Sequence, residues 1–521
     1  DNYMTFGYLY DHIFEKKRDE LFVYFENGSR LSLSTDEFRT KTEKMARYIF
    51  YASKEIEPGS WMILKLKNSG LWPVAFFGAL MSGMKVLLLD EAVPARQLKN
   101  FIAHVGAKAV LTDSDRDAAQ GPPNINIRGY DDCKYPETDT VWADEIAYAT
   151  SGTTSEAKIY SYNAEAVKTG QVGIFKIWRD INNKHNKKNS VRALQVLPLR
   201  HIFGLVTFLC GIEAGYTLIF PENISILELI RTVKTEKPWI CAAVPALWKG
   251  LLDIVKVKCV GACTREKFES VFGSSLVCGV SAGAKLETQL AKDLVGGAGI
   301  VLYNGWGMTE TGAAAAGRIT DEDTETGYVG NIFEAYDAKI LRDDGSIGDC
   351  GTGELIINGS GLYTSEISAG GAEKRRGEYF YTGDIFRIEN DRSYFIGRRK
   401  SVIVGDSGEN AYPEEIEEEL TSVLMKVRQS CVFDLKGRAA LFISDPDIEE
   451  KLDGILEEIK NKNMTMLIKN KIAALFTSKS PVEITGKGEV SRFKIVEQIK
   501  KKRDIQKYII MKGIVSDADI Y

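Results

Sequence analysis

Histidine is scarce in this chain, with four among 521 residues, and the eight cysteines form no C-x-x-C pair. The first shortage leaves chemistry built on a histidine general base few places to sit. The second argues against a zinc site and against a disulfide framework. No apolar run approaches the roughly 20 residues that a membrane span needs, and no signal peptide precedes Met4, so a cytoplasmic protein without a membrane span is expected. A basic excess is missing too, with 67 Lys and Arg against 72 Asp and Glu. A formal net charge of −5 and an isoelectric point near 5.8 argue against a nucleic-acid-binding surface. The basic run at 500–503 reads as a solvated helix end.

What is present is the composition of an ordinary globular protein, 44% hydrophobic and 27% charged. The length calls for more than one core. From residue 61 onward, strand patterns (61–66, 85–89, 109–112) alternate with helical ones (71–82, 95–105), which predicts parallel-rich sheets layered with helices, an α/β fold. After Gly327 the period shortens to alternating strands with Gly and Asp turns, expected to form a small barrel or hairpin sheet. Beyond Lys400 the chain turns to glutamate- and lysine-rich helices (413–424, 447–461) and short strands (429–434, 439–443), with few glycines. The expected organisation is a large N-terminal domain, 1–399, and a small mobile α+β lid, 400–521.

Polar residues gather where strands are predicted to end. The stretch A-Y-A-T-S-G-T-T-S-E-A-K-I at 147–159 offers hydroxyls from Thr150, Ser151, Thr153 and Thr154, close backbone approach at Gly152, and the charge of Lys158. It lacks the Gly-x4-Gly-Lys-Ser/Thr spacing of a P-loop, and alone it reads equally as a phosphate cradle or a polar surface turn. In L-P-L-R-H-I-F-G-L at 197–205, His201 lines a pocket or is a buried histidine with a satisfied ring. The small residues of S-A-G-A-K-L at 281–286 let backbone approach a flat ligand. In Y-N-G-W-G-M-T-E-T-G at 303–312, Glu310 is an oxygen donor suited to magnesium, with the Thr309 hydroxyl beside it. Asp384 in Y-T-G-D at 381–384 is able to accept from both hydroxyls of a ribose, and Arg398 in I-G-R-R-K at 396–400 to donate to the same sugar or to a phosphate. Each reads equally as a surface charge.

Taken in order, T-S-G-T-T-S-E-A-K, S-A-G-A-K-L, N-G-W-G-M-T-E, Y-T-G-D and G-R-R-K resemble the adenylate-forming superfamily of acyl-CoA synthetases, coumarate-type ligases, luciferases and peptide-synthetase adenylation domains. P-G-S-W-M-I-L-K-L-K-N-S at 58–69 and E-N-A-Y-P-E-E-I-E at 409–417 support the resemblance, which spans nearly the whole chain. It implies an ATP- and magnesium-dependent acid-thiol ligase: a carboxylate attacks the α-phosphate of ATP, pyrophosphate leaves, and a thiol, usually of coenzyme A, displaces AMP from the acyl-adenylate. A close variant loads an acyl carrier protein. The resemblance places Thr150 to Thr154 and Lys158 on the β and γ phosphates. Gly283 and Ala284, with Asn304, Gly305 and Trp306, fall around adenine. Thr309 falls on the α-phosphate, Glu310 on magnesium, Asp384 and Arg398 on the ribose, and Lys400 at the pivot of the small domain; His201 is implied as a pocket gate. Amino-acid-activating relatives carry an aspartate in the segment matching 197–205, and this chain has none there. Acetate-specific relatives carry a tryptophan where this chain has Gly307. An aryl or medium-to-long acyl acid is therefore expected.

Two departures stand out. Ser155, Ala157 and Ile159 occupy positions that are Gly, Pro and Gly in the family. Near the C-terminus the family pattern is Thr-x-x-Gly-Lys-x-x-Arg, whose lysine bridges the substrate carboxylate and the α-phosphate. Here it reads T-G-K-G-E-V-S-R at 485–492, with Glu489 in the place of that lysine. In an extended segment Lys487 points to the same side as Glu489, so that the pair reads either as a replacement amine at Lys487 or as two surface charges. The other reading is a degenerate homologue that binds nucleotide or acyl-adenylate without turning it over efficiently.

Overall fold

The helices Leu71–Met81 and Ile202–Ala214 are apolar on every side and buried along almost their whole length, which a helix tolerates only where protein covers all its faces. The structure, a computed structural model, explains this by placing them between two large sheets. It describes the chain apart from residues 1–3, 54–55, 115–120, 133, 138, 151–157, 186–190, 321–326, 406–408, 485–488, 503 and 512–521, and the side chains at 184, 185 and 493.

Among the described residues one sheet has nine strands, in the order Asn331–Ile332, Gly312–Arg318, Val301–Met308, Cys278–Ser281, Ile240–Ala243, Arg192–Gln195, Thr217–Ile219, Phe22–Glu26 and Ser29–Leu33. The second has eight, in the order Gly371–Lys374, Ser365–Ser368, Ile159–Asn163, Glu145–Ala149, Lys85–Leu89, Trp61–Lys65, Ala109–Thr112 and Asn124–Asn126. Both are parallel in the middle and antiparallel at an edge. Strand alternation then sorts the side chains. Met62 and Leu64 join Trp72, Phe208, Leu218 and Cys278 in the core between the sheets. Ile63 turns the opposite way, to Leu98 and Phe101 of helix Ala95–Val105, and Leu194 packs on Trp248 and Leu251 of helix Pro245–Cys259. Layers of helix and sheet alternate, as the sequence periodicity predicts.

The short-period region after Gly327 forms a five-stranded antiparallel sheet, ordered Ile347–Gly348, Tyr336–Leu341, Gly351–Gly359, Phe380–Glu389 and Arg392–Arg398. From Ile403 onward the apolar side chains gather in two clusters of their own, around a four-stranded mixed sheet. Two of its strands, Ile472–Ser478 and Gln506–Ile509, are additions to the sequence reading. No helix among the described residues is long and apolar enough to cross a membrane.

Candidate functional site

Parallel strands of the nine-stranded sheet deliver two of the polar motifs to one place, beyond their C-terminal ends, where such sheets bind ligands. Cys278–Ser281 runs into Ala282, Gly283 and Ala284, and its neighbour Val301–Met308 carries Asn304 to Gly307. Gly283 has φ +88, a left-handed conformation that favours glycine, and an added Cβ would face Val244 at 3.5 Å and Phe203 at 3.9 Å. Gly283, Ala284 and Asn304 to Gly307 line a cavity of about 350 Å³ together with Asp384 and Arg398.

Asp384 and Arg398 face each other across adjacent strands of the five-stranded sheet, which places the Arg398 Nε 3.5 Å from the Asp384 Oδ1. The Trp306 indole Nε1 donates to Asp384 Oδ2 at 2.9 Å, so the carboxylate is held although it is 1% exposed. Asn304 is buried as well. Its Nδ2 donates to the Tyr328 carbonyl at 2.7 Å, and its Oδ1 accepts no hydrogen bond from the described residues. A buried acceptor of this kind is an invitation to a donor-bearing ligand.

Thr309 and Glu310 lie just past this lining, in a turn fixed by the Met308 N–H donating to Thr311 Oγ1 at 2.9 Å. Burial raises the Glu310 carboxyl above its usual range, against the lowering effects of a backbone N–H, the Tyr160 hydroxyl and Arg398. Among the described residues no three His, Cys, Asp or Glu side chains cluster as a metal cage. Glu310 would hold a cation as a lone carboxylate, the arrangement typical of magnesium shared with phosphate oxygens.

Thr150 and Lys158 close the base of the phosphate-type loop on the other sheet. Thr150 N–H donates to the Lys158 carbonyl at 2.9 Å, and Lys158 N–H donates to Thr150 Oγ1 at 3.1 Å. The Lys158 ammonium sits 3.1 Å from Glu366. Ser151, Gly152, Thr153, Thr154 and, near the C-terminus, Lys487 lie outside the described residues. Ile159, glycine in the family, is a fully buried strand residue packed with Ile63, Leu87 and Ile367, so this departure adds core contact. His201 is exposed, at the N-cap of Ile202–Ala214, and is not among the residues that line the cavity. Lys400 is exposed in the turn Arg399–Ser401. Gly307 lines the cavity, but a Cβ there would meet the Gly312 carbonyl at 2.2 Å; close strand approach demands glycine here irrespective of pocket depth.

The far wall of the cavity comes from the C-terminal residues. Helix Pro413–Glu419 turns Glu414, Glu417 and Glu418 toward the 283–288 loop. The Lys285 ammonium donates to the Glu414 carbonyl at 3.0 Å, and the Thr288 N–H to Glu418 at 3.2 Å. Arg492 donates to Glu414 at 2.7 Å and also pairs with Glu417. Burial raises the Glu417 carboxyl; burial alone would lower the Arg492 guanidinium, and the carboxylates of Glu417 and Glu414 outweigh it. Glu489 borders the same space. Lys285, Glu414 and Glu418 had no role in the sequence reading. Their signal was the helical spacing within P-E-E-I-E-E-E, which sets these acids opposite the buried Ile416.

The family described as AMP-binding enzyme matches residues 11–365. The chain belongs to that family. Among curated relatives, this AMP-binding enzyme is 23% identical to 4-coumarate-CoA ligase 1 of Narcissus pseudonarcissus over 396 residues, 70% of each chain. It is 27% identical to a long-chain-fatty-acid–CoA ligase of Haemophilus influenzae over 337 residues, 62% of this chain and 56% of that one. Its fold matches o-succinylbenzoate coenzyme A synthetase of Bacillus subtilis in complex with AMP, with TM-score 0.75 and 20% identity over 96% of this chain and 98% of the other. ATP-bound MatB of Rhodopseudomonas palustris matches with TM-score 0.75 and 18% identity, over 95% and 99%.

Proposed function

We propose that this chain activates a carboxylic acid with ATP, releasing pyrophosphate, and passes the acyl group from the acyl-adenylate to a thiol, that of coenzyme A. The observation that carries the reading is the buried, unsatisfied Asn304 oxygen in one cavity with Gly283 and the Trp306–Asp384–Arg398 set. A flat base with an exocyclic amine supplies the missing donor, and a diol suits a carboxylate backed by an arginine.

In this reading Gly283, Ala284 and Asn304 to Trp306 surround adenine, and Asp384 and Arg398 hold the ribose. Thr309 contacts the α-phosphate. Glu310 holds magnesium, which when bound neutralises phosphate charge. Thr150 to Thr154 and Lys158 grip the outer phosphates. The acid's oxygen attacks the α-phosphorus as the bond to pyrophosphate breaks, and the chain's contribution is to align the two anions and screen their repulsion. Residues 400–521 form a lid that turns about Lys400 between the two half-reactions, and Lys487 supplies the amine missing at 489. The lack of an aspartate in 197–205, together with relatives named for coumarate and long-chain fatty acids, supports an aryl or medium-to-long acyl acid. A carrier-protein thiol is the alternative acceptor.

Glu489 in the cavity wall favours a second reading, a homologue that binds nucleotide or acyl-adenylate without efficient adenylation. Acid-dependent exchange of labelled pyrophosphate into ATP, across a panel of aryl and fatty acids with magnesium, separates the two. Exchange with an aryl or fatty acid is the expected result. Binding of ATP without exchange for any acid would replace the ligase reading with the second.

A further inference from the structure

Strand Ile159–Asn163 leaves the phosphate-type loop with two tyrosines, Tyr160 and Tyr162, spaced so that both face the core between the large sheets, while Ile159 faces outward. Both rings are buried, at 3% and 1% exposure. Their hydroxyls reach the same short turn. Tyr162 Oη donates to the Thr309 carbonyl at 2.5 Å, and the Tyr160 hydroxyl lies near enough to the Glu310 carboxylate to oppose the rise that burial imposes on it. Tyr363 completes the setting: its ring lies 4.8 Å from that of Tyr160, and its N–H donates to the Glu310 carbonyl at 3.0 Å.

We propose that Tyr160 and Tyr162 are positioning residues for the Thr309–Glu310 turn, Tyr162 fixing its backbone and Tyr160 the rotation of the carboxylate that receives the divalent cation. The inference rests on the reading of Glu310 given above. A carboxylate able to spin about its last bond presents its oxygens to a cation only part of the time; a hydrogen bond to one oxygen leaves the other aimed. The strand that carries the tyrosines is also the continuation of the loop whose base is closed by Thr150 and Lys158. The base of that loop at Lys158 and the turn that carries the cation carboxylate are therefore tied to one strand.

Packing alone would also bury two tyrosine rings, so the test removes only the hydroxyls. Pyrophosphate exchange and ATP binding are measured against magnesium concentration for the full chain, Tyr160→Phe and Tyr162→Phe, with the thermal midpoint of each. Tyr160→Phe is expected to need about tenfold more magnesium for half-maximal exchange, with its thermal midpoint and its ATP dependence at saturating metal near those of the parent. Tyr162→Phe is expected to lower the maximal rate with the magnesium midpoint kept. An unchanged magnesium midpoint in Tyr160→Phe overturns the inference and leaves the function standing. Losses in Tyr160→Phe that follow its thermal midpoint alone overturn it in favour of packing. ATP binding by the parent that is indifferent to magnesium removes the Glu310 reading, and this inference with it.

Discussion

Asn304 is 3% exposed, with its amide nitrogen tied to Tyr328 and its oxygen left without a donor among the described residues. An acceptor stranded in this way costs about 1–3 kcal/mol, recovered when a ligand N–H arrives. Adenine brings an amine at its six position, whereas guanine brings a carbonyl oxygen, which would face the Asn304 oxygen acceptor to acceptor. A site that holds adenine as proposed would discriminate by leaving the wrong base unpaired, the stronger form of selectivity. Asn304→Ala is expected to reduce the preference for ATP over GTP about tenfold, equivalent to about 1.4 kcal/mol, as measured by competition for the bound nucleotide. An equal loss for both nucleotides would mean that Asn304 acts through packing.

At the scale of elements, the contact that matters is helix Pro413–Glu419 against the 283–288 loop. Lys285 is held there by the Glu414 carbonyl, and burial lowers its ammonium below the usual 10.5 even with Glu418, Glu414, Glu417 and Glu415 nearby. Between that lowered value and 10.5 the unfolded chain binds the proton more tightly than the folded one, so this group's contribution to stability rises with pH across the window and falls as pH drops through it. Lys285→Met removes the term. The thermal midpoint of the parent should gain on that of Lys285→Met as pH climbs toward 10.5, and parallel curves would refute the burial of the ammonium. The same contact marks where sequence reading ends. Strands such as Lys85–Leu89 were legible because they are apolar on both faces and bounded by turns. Strand Gln506–Ile509 was not, since its first two residues are exposed and polar. Gly283, Asn304, Asp384 and Arg398 were legible because each falls in a short motif of small and polar residues, although Asn304 and Asp384 lie within strands Val301–Met308 and Phe380–Glu389 and not at their ends. Lys285, Glu414 and Tyr160 were not, because their partners lie 78 or more residues away and only the packing of separate elements brings them together.

For the molecule as a whole, the question is how a cavity walled by carboxylates handles a triphosphate. Glu287, Asp384, Glu414, Glu417, Glu418 and Glu489 border it, against Lys285, Arg398 and Arg492. Arg492 is committed to Glu414 and Glu417, and Lys285 to a backbone carbonyl. In the proposed reading phosphates would be repelled from this wall toward Lys158 and the cation at Glu310, with the base and sugar left among the acids. Glu489 is the member whose sign bears most on that division, since it stands where the family places a cation. One charge pair at about 4 Å is worth about 4 kcal/mol at an effective dielectric near 20, and a fraction of that in the transition state is enough to control the rate. In the second reading, where no amine replaces the family's lysine, Glu489→Lys raises the rate of acid-dependent pyrophosphate exchange at least tenfold, with ATP affinity changed far less, because the gain arises where the carboxylate and the α-phosphate approach each other. If exchange is already present and Glu489→Lys leaves it unchanged, the amine comes from elsewhere, and Lys487→Ala should then abolish exchange.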